Sequence, residues 1–357
     1  MFKRILLASA IASAFAVPAM AEVSISGSAE MDFFYRTNNT VDGDGKFLQE
    51  IAIVINVDGK DKLDNGNTLS WRLAQKVATP DRFDAWGIRE AWIGYSGDWG
   101  SLKFGNQFSN TYLIQDWPYG SKGFSGTMGE VANVGFGQGI SYTSPTFAGM
   151  NVSAAYDFGD NVGQDVYAWE TTLQGAWGNF NLDAGYYRSE NGKPVPAGRD
   201  WSGATASSTR PNGLTEANGD SYANWIVGGR AQFGDFGLRA AVRGMEDTTA
   251  GVDTTAIGYL VGGTYSMGKH ALSLGYMYQE AEKDGISHAN NDFQTIGFQW
   301  DYALSKNTGA FLQVRHNMVG EGWNTNTAGT SIWQNADGMA GGQDNATRIL
   351  IGTWTGF

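Results

Sequence analysis

The sequence reads as a closed antiparallel β-barrel of sixteen strands built to lie in a membrane. Apolar and polar side chains alternate with period two through segment after segment, which puts the two sets on opposite faces of extended strands. Bulky charges recur on the polar face, as suits an enclosed watery interior rather than a packed core. Aromatic residues gather near strand ends, in Trp92–Tyr95, Trp99, Trp177, Phe180, Tyr186, Trp225, Phe233, Trp300, Tyr302 and Trp354, where amphipathic rings meet a lipid–water boundary. A soluble β-protein also alternates, but it has little use for so many charges on the inner face.

Composition narrows the class further. The chain has 357 residues, 13% aromatic and only 17% charged, with 50 Gly and no Cys; soluble domains carry about 25% charged residues. Without Cys there is no disulfide framework, thiolate metal site or cysteine nucleophile. The formal net charge of −12 argues against binding nucleic acid, which needs clustered Lys and Arg. His270, His288 and His316 stand apart, with no Ser or Asp motif to make a nucleophile–base pair. The chain is therefore expected to be neither an enzyme nor a carrier of a metal or cofactor.

Taken in order, residues 1–21 form a cleavable export signal. Lys3 and Arg4 precede an apolar stretch from Ile5 to Val17, and Ala19-Met20-Ala21 is a small-x-small cleavage site. The stretch is too short to span a bilayer as a helix, and residues 22–357 are left as the barrel. The first strand alternates Val23, Ile25, Ala29, Met31 and Phe33 with Ser24, Ser26, Ser28, Glu30 and Asp32. Ile51, Ile53, Ile55 and Val57 alternate with Glu50, Ala52, Val54 and Asn56; Leu69, Trp71 and Leu73 with Ser70, Arg72 and Ala74. Later strands repeat the pattern around Leu238–Val242 and Leu272–Tyr278.

Connections give the strand number. Short turns fall at Asp58–Gly66, Gly97–Gly100, Pro145–Gly149, Trp177–Asn179, Gly234–Phe236, Met267–Lys269 and Ser305–Asn307. Longer polar stretches alternate with them at about 37–46, 78–87, 107–137, 158–165, 189–220, 246–254, 282–291 and 319–345. Seven turns and eight loops join sixteen strands. After the leader, about 21 residues remain per strand and connection, enough for strands of about 10 residues across a bilayer. Closure is obligatory, because an open edge in lipid leaves backbone groups unpaired. Ile349, Ile351, Thr353, Thr355 and Phe357 carry the outward set to the last residue.

Several stretches resemble the sixteen-stranded trimeric general porins of Gram-negative bacteria, especially the branch common in β-proteobacteria. They are Val23–Gly27, Arg89–Gln107, Ile140–Gly149, Asp301–Thr308 and the terminal Phe357. The resemblance implies an outer-membrane porin, a water-filled channel for passive diffusion of small hydrophilic solutes and ions. It also implies a homotrimer set in outer-membrane lipid and lipopolysaccharide, with Phe357 as the C-terminal signal read by the barrel-assembly machinery. Its third loop, here about 108–137, folds into the barrel and narrows it.

That loop supplies Asp116 and Glu130 as acids at the constriction, and Trp117, Tyr119 and Phe124 as aromatic surfaces for a solute such as a sugar ring. Inward parity supplies Arg36, Arg72, Lys76 and Lys103 as the basic side of the wall. Arg89 belongs with them by resemblance, whereas alternation from Ile93 and Tyr95 turns it outward. Acid facing base across water creates a transverse field that favours polar solutes. The chain also departs from the family. It has Gly105-Asn106-Gln107 where an Arg is usual, no Arg in Val134–Gln138, and Glu50 where some anion-selective members carry Arg. With Glu30, Asp32, Glu50, Glu170, Asp183 and Asp301 among the inward acids, a mild cation preference is expected. A sugar-preferring channel and a non-conducting structural or adhesin barrel are the alternatives.

Overall fold

Period-two alternation produces strands throughout. The computed structural model describes residues 22–40, 42–78, 86–87, 89–120, 134–159, 165–194, 214–284, 286–320 and 342–357. The expected export signal, residues 1–21, lies outside them. The first eight strands are β1 (Glu22–Arg36), β2 (Lys46–Lys62), β3 (Thr68–Ala78), β4 (Glu90–Gly97), β5 (Gly100–Phe108), β6 (Gly135–Thr143), β7 (Met150–Asp157) and β8 (Tyr167–Trp177). They are followed by β9 (Phe180–Pro194), β10 (Leu214–Phe233), β11 (Phe236–Thr249), β12 (Val252–Met267), β13 (His270–Lys283), β14 (Ile286–Ala303), β15 (Thr308–Val319) and β16 (Asn345–Gly356). Each pairs antiparallel with its sequence neighbour, and β1 pairs with β16 to close the barrel. Among the described residues no helix is long and apolar enough to cross a membrane; the crossing is made by strands.

The two faces differ as the pattern requires. Ile25, Phe33, Ile53, Leu73, Ile93, Phe104, Val227, Leu238, Leu274 and Ile351 are exposed on the outside. Asp32, Glu90, Glu170, Asp183, Asn224 and Gln279 are buried on the inside. Aromatic pairs mark both edges of the apolar band: Trp99 stacks on Tyr142 and Phe236 packs on Tyr265 at the short-turn end, while Tyr35 packs on Phe47 and Trp169 on Tyr186 at the other. Trp92 breaks the expected girdle. It shares the inward parity of Glu90 and lies beside charged wall residues.

Turn chemistry fixes the short connections. Gly178, Gly234 and Gly268 have φ of 56°, 59° and 58° at the first central position of two-residue hairpins, where a Gly-X type II′ turn needs them. The expected turn at Asp58–Gly66 is tighter, since β2 runs on to Lys62. The larger differences lie at the other end. Of the polar stretches read as long loops, 246–254 and 282–291 are largely strand among the described residues, and in 189–220 the described ends, 189–194 and 214–220, are strand as well. β10 has 20 residues and β14 has 18, and β11 and β12 meet in a two-residue turn, Ala250-Gly251. A hairpin that rises past the hydrocarbon into water keeps its ladder but no longer needs an apolar outer face, so its polarity mimics a loop.

Candidate pore wall and third loop

On β1–β5 the inner wall is a mosaic of both charge signs. Arg72 is ion-paired to Asp58 through Nε–Oδ1 at 2.7 Å and Nη2–Oδ2 at 3.1 Å, and its Nη1 reaches Glu90 Oε2 at 3.3 Å. Trp92 Nε1 donates to Glu90 Oε1 at 3.1 Å, and Lys103 Nζ sits 4.7 Å from the centre of the Trp92 ring system. Lys76 Nζ is 3.8 Å from Glu50 Oε1, within the electrostatic reach of Glu30 and Asp32. The basic wall expected from parity therefore carries its own acids. Arg72, Lys76 and Lys103 share one patch. Arg36 faces inward but lies apart from it: register places it beside Lys46 and Arg348 at the end of β1, buried, with its guanidinium 4.8 Å above the Phe34 ring.

Arg89 immediately precedes β4, so strand alternation does not govern it. Its guanidinium covers the Phe108 ring at 4.9 Å, and its charge acts on Asp116. Asp116 is thus within electrostatic reach of both Arg89 and Lys76. Burial pushes the Asp116 carboxyl above its usual range, opposed by a hydrogen bond from Tyr112 and by those two cations.

The third loop leaves β5 through a short helix, α1 (Asn110–Ile114), which continues into a π-helical turn at Gln115–Tyr119. The first N–H groups of a helix lack internal partners, and here side chains supply them. Ser109 Oγ accepts from Tyr112 N at 3.1 Å. Glu170 on β8 accepts from Ser109 Oγ at 2.6 Å, Asn110 N at 2.8 Å and Thr111 N at 3.1 Å. Asn110 Nδ2 donates to Ser153 Oγ on β7 at 2.8 Å. Further along, Gln115 Nε2 donates to Asn224 Oδ1 on β10 at 2.8 Å, and Arg239 on β11 donates to the Pro118 carbonyl. Buried Arg243 on β11 spans Gln115 Oε1 at 3.4 Å and Gln279 Oε1 at 3.2 Å.

Tyr119 and Trp117 have opposite fates. Tyr119 is fully buried and donates its hydroxyl to Asp183 Oδ2 at 2.8 Å; the same carboxylate holds Arg230 at 2.9 Å. Its ring lies over Gly228, where a Cβ atom would come within 2.3 Å of it. The ring read from sequence as a solute surface is therefore a loop anchor. Trp117 is 67% exposed. Glu130 and Phe124 lie outside the described residues.

The sequence shows Glu170 and Asp183 as inward acids but not that they, with Arg239 and Arg243, hold the loop. Two inward glycines carried the signal: Gly185 meets Thr111, as Gly228 meets Tyr119, and a strand glycine marks close approach of another backbone.

A closed barrel with lipid-compatible outside and charged inside defines an outer-membrane channel protein. The comparisons agree: the Gram-negative porin profile matches residues 8–321, and the chain belongs to that family. It is 24% identical over 368 residues to the major outer membrane protein P.IB of Neisseria sicca, covering 95% of this chain and 98% of that protein. It is 26% identical over 219 residues to the chitoporin of Vibrio furnissii, covering 57% of this chain and 60% of that one. Among solved structures, the anion-selective porin from Comamonas acidovorans superposes with a TM-score of 0.69 at 15% identity, covering 94% of this chain and all of that one. The trimer form of OmpT from Vibrio cholerae gives 0.68 at 16% identity, covering 94% and 99%. The protein is thus an outer-membrane porin of a Gram-negative bacterium, a channel for small solutes, and its relatives are porins rather than enzymes.

Proposed function

We propose that the barrel encloses a water-filled channel for passive diffusion of small hydrophilic solutes and ions, narrowed by loop 108–137, with a mild preference for cations. The observation that carries this reading is the charge arrangement on one stretch of inner wall. Arg72 and Lys76 are engaged by Asp58, Glu90 and Glu50, and the carboxyl groups of Glu30, Asp32 and Asp116 all lie within electrostatic reach of Lys76. Arg72, Lys76, Arg89 and Lys103 form the basic side and Asp116, with Glu130, the acidic side. Graded neutral solutes in planar-bilayer recordings measure the bore. The reversal potential in a salt gradient gives the sign of selectivity, and an anion-selective value rules out the cation preference.

Trp117 supports a second reading, a channel that stacks sugar rings. The chitoporin relative points the same way. Current block that grows with sugar concentration supports it; an unblocked channel at high concentration removes it. An adhesin or structural barrel predicts no conductance at all.

Three further assignments belong to this reading. Cleavage after Ala21 leaves Glu22, the residue at which β1 begins, as the mature N-terminus, which N-terminal sequencing checks. A homotrimer in lipid and lipopolysaccharide is supported by the OmpT trimer form and by exposed Val23, Ile25, Ile349 and Ile351 around the seam; cross-linking in membranes reads it. Phe357, exposed beside the seam, is the group offered to the assembly machinery.

A further inference from the structure

The third loop springs from β5, yet its first turn is fastened to β8, three strands away. One carboxylate does most of this. Glu170 is buried and receives three hydrogen bonds, from the Ser109 hydroxyl and from the Asn110 and Thr111 amides. Both carboxyl oxygens are engaged, Oε1 by the Asn110 amide and Oε2 by the Ser109 hydroxyl and the Thr111 amide. The two amides belong to a helix start that has no internal partner for them. A buried carboxylate needs donors, and a helix start needs acceptors; each supplies what the other lacks. Thr111 then lies close against Gly185, whose missing side chain leaves room for it.

We propose that Glu170 is the positioning residue of the third loop: it fixes where the loop leaves the wall, and thereby sets the bore of the channel. This rests on the reading of loop 108–137 as the narrowing element. Gln115, Tyr119 and Pro118 are held farther along by Asn224, Asp183 and Arg239, so releasing the first turn lets the loop pivot about its later anchors without detaching. Gln in place of Glu170 keeps the shape but sets its amide against one of the three donors.

The test uses full-length protein reconstituted in lipid, with folding verified by heat-modifiable electrophoretic mobility. The chain has no Cys, so Asn110→Cys with Ser153→Cys, at side chains 2.8 Å apart between loop and wall, gives a cross-link through a short bifunctional thiol reagent that reports loop position. In this background the cross-link forms readily with Glu170, less with Glu170→Gln, and least with Glu170→Ala. Single-channel conductance and the exclusion limit for neutral solutes shift upward in the same order, without the cysteines. Ser109→Ala combined with Glu170→Ala adds little to Glu170→Ala alone. Cross-linking that is indifferent to Glu170 overturns the proposal. Cross-linking that depends on Glu170, with conductance and exclusion limit unchanged, overturns the link to bore. A wild-type protein that folds but never conducts refutes the channel reading, and the cross-link still decides whether Glu170 places the loop. Should Glu170→Ala fail to fold, Glu170→Gln carries both measurements.

Discussion

Asp116 lies within electrostatic reach of Arg89 and Lys76, and on the proposed reading its carboxyl belongs to the acidic side of the channel. Asp116→Asn should move the reversal potential towards anions, as bilayer recording in a salt gradient will show. Because burial raises the Asp116 carboxyl above its usual range, it takes up a proton at a higher pH than an ordinary carboxylate. The proposed cation preference should therefore fall on mild acidification, and Asp116→Asn should remove that part of the dependence. Tyr119→Phe deletes one hydrogen bond to a charged acceptor, a loss of about 1.5–3 kcal/mol, and should raise open-channel noise while Asp183 keeps Arg230. The inward direction of Arg72, Lys76 and Lys103 was legible from parity alone. The role of Tyr119 was not, because the glycine that makes room for it sits 109 positions away, at Gly228. Arg89 was ambiguous for a simpler reason: alternation says nothing about a residue just outside a strand.

At the scale of the element, the hairpin of β11 and β12 is the most exposed to test. Ala250 and Gly251 have φ of 51° and 79°, the two positive values of a type I′ turn, for which Asn-Gly is preferred. An L-residue pays roughly 1–2 kcal/mol to enter that region, and Asn is among those that visit it routinely. Ala250→Asn should stabilise the barrel by a fraction of that, measurable as a higher temperature for loss of the heat-modifiable form. An epitope inserted between Ala250 and Gly251 should be tolerated and bind antibody on intact cells, since turn tips accept insertions. Turns with Gly-Asn, Gly-Asp or Gly-Lys were legible because their chemistry is local. Strand ends beyond the membrane were not, since Glu246, Asp247 and Glu282 lie in a ladder while reading as loop.

For the whole molecule, the sequence count of connections and the observed sixteen strands agree, because successive connections of an antiparallel wall fall at alternate ends whatever their length. Closure is made by β1 and β16. Gly27 and Phe357 exchange backbone hydrogen bonds of 3.0 and 3.1 Å, and a Cβ on Gly27 would stand 2.0 Å from the Val54 carbonyl oxygen. Gly27→Val should therefore lower the yield of heat-modifiable barrel sharply, while Ser28→Ala, on the neighbouring position, should leave it near wild type.

The pairing of Ser28 with Gly356 and of Arg36 with Arg348 means that the wall is sealed by the two most distant parts of the chain. A product truncated before its final strand is left with two unsatisfied margins and no means of hiding them in lipid. Incomplete synthesis thus cannot yield a leaky hole in the cell's outer envelope: the last dozen residues decide whether any conduit exists at all.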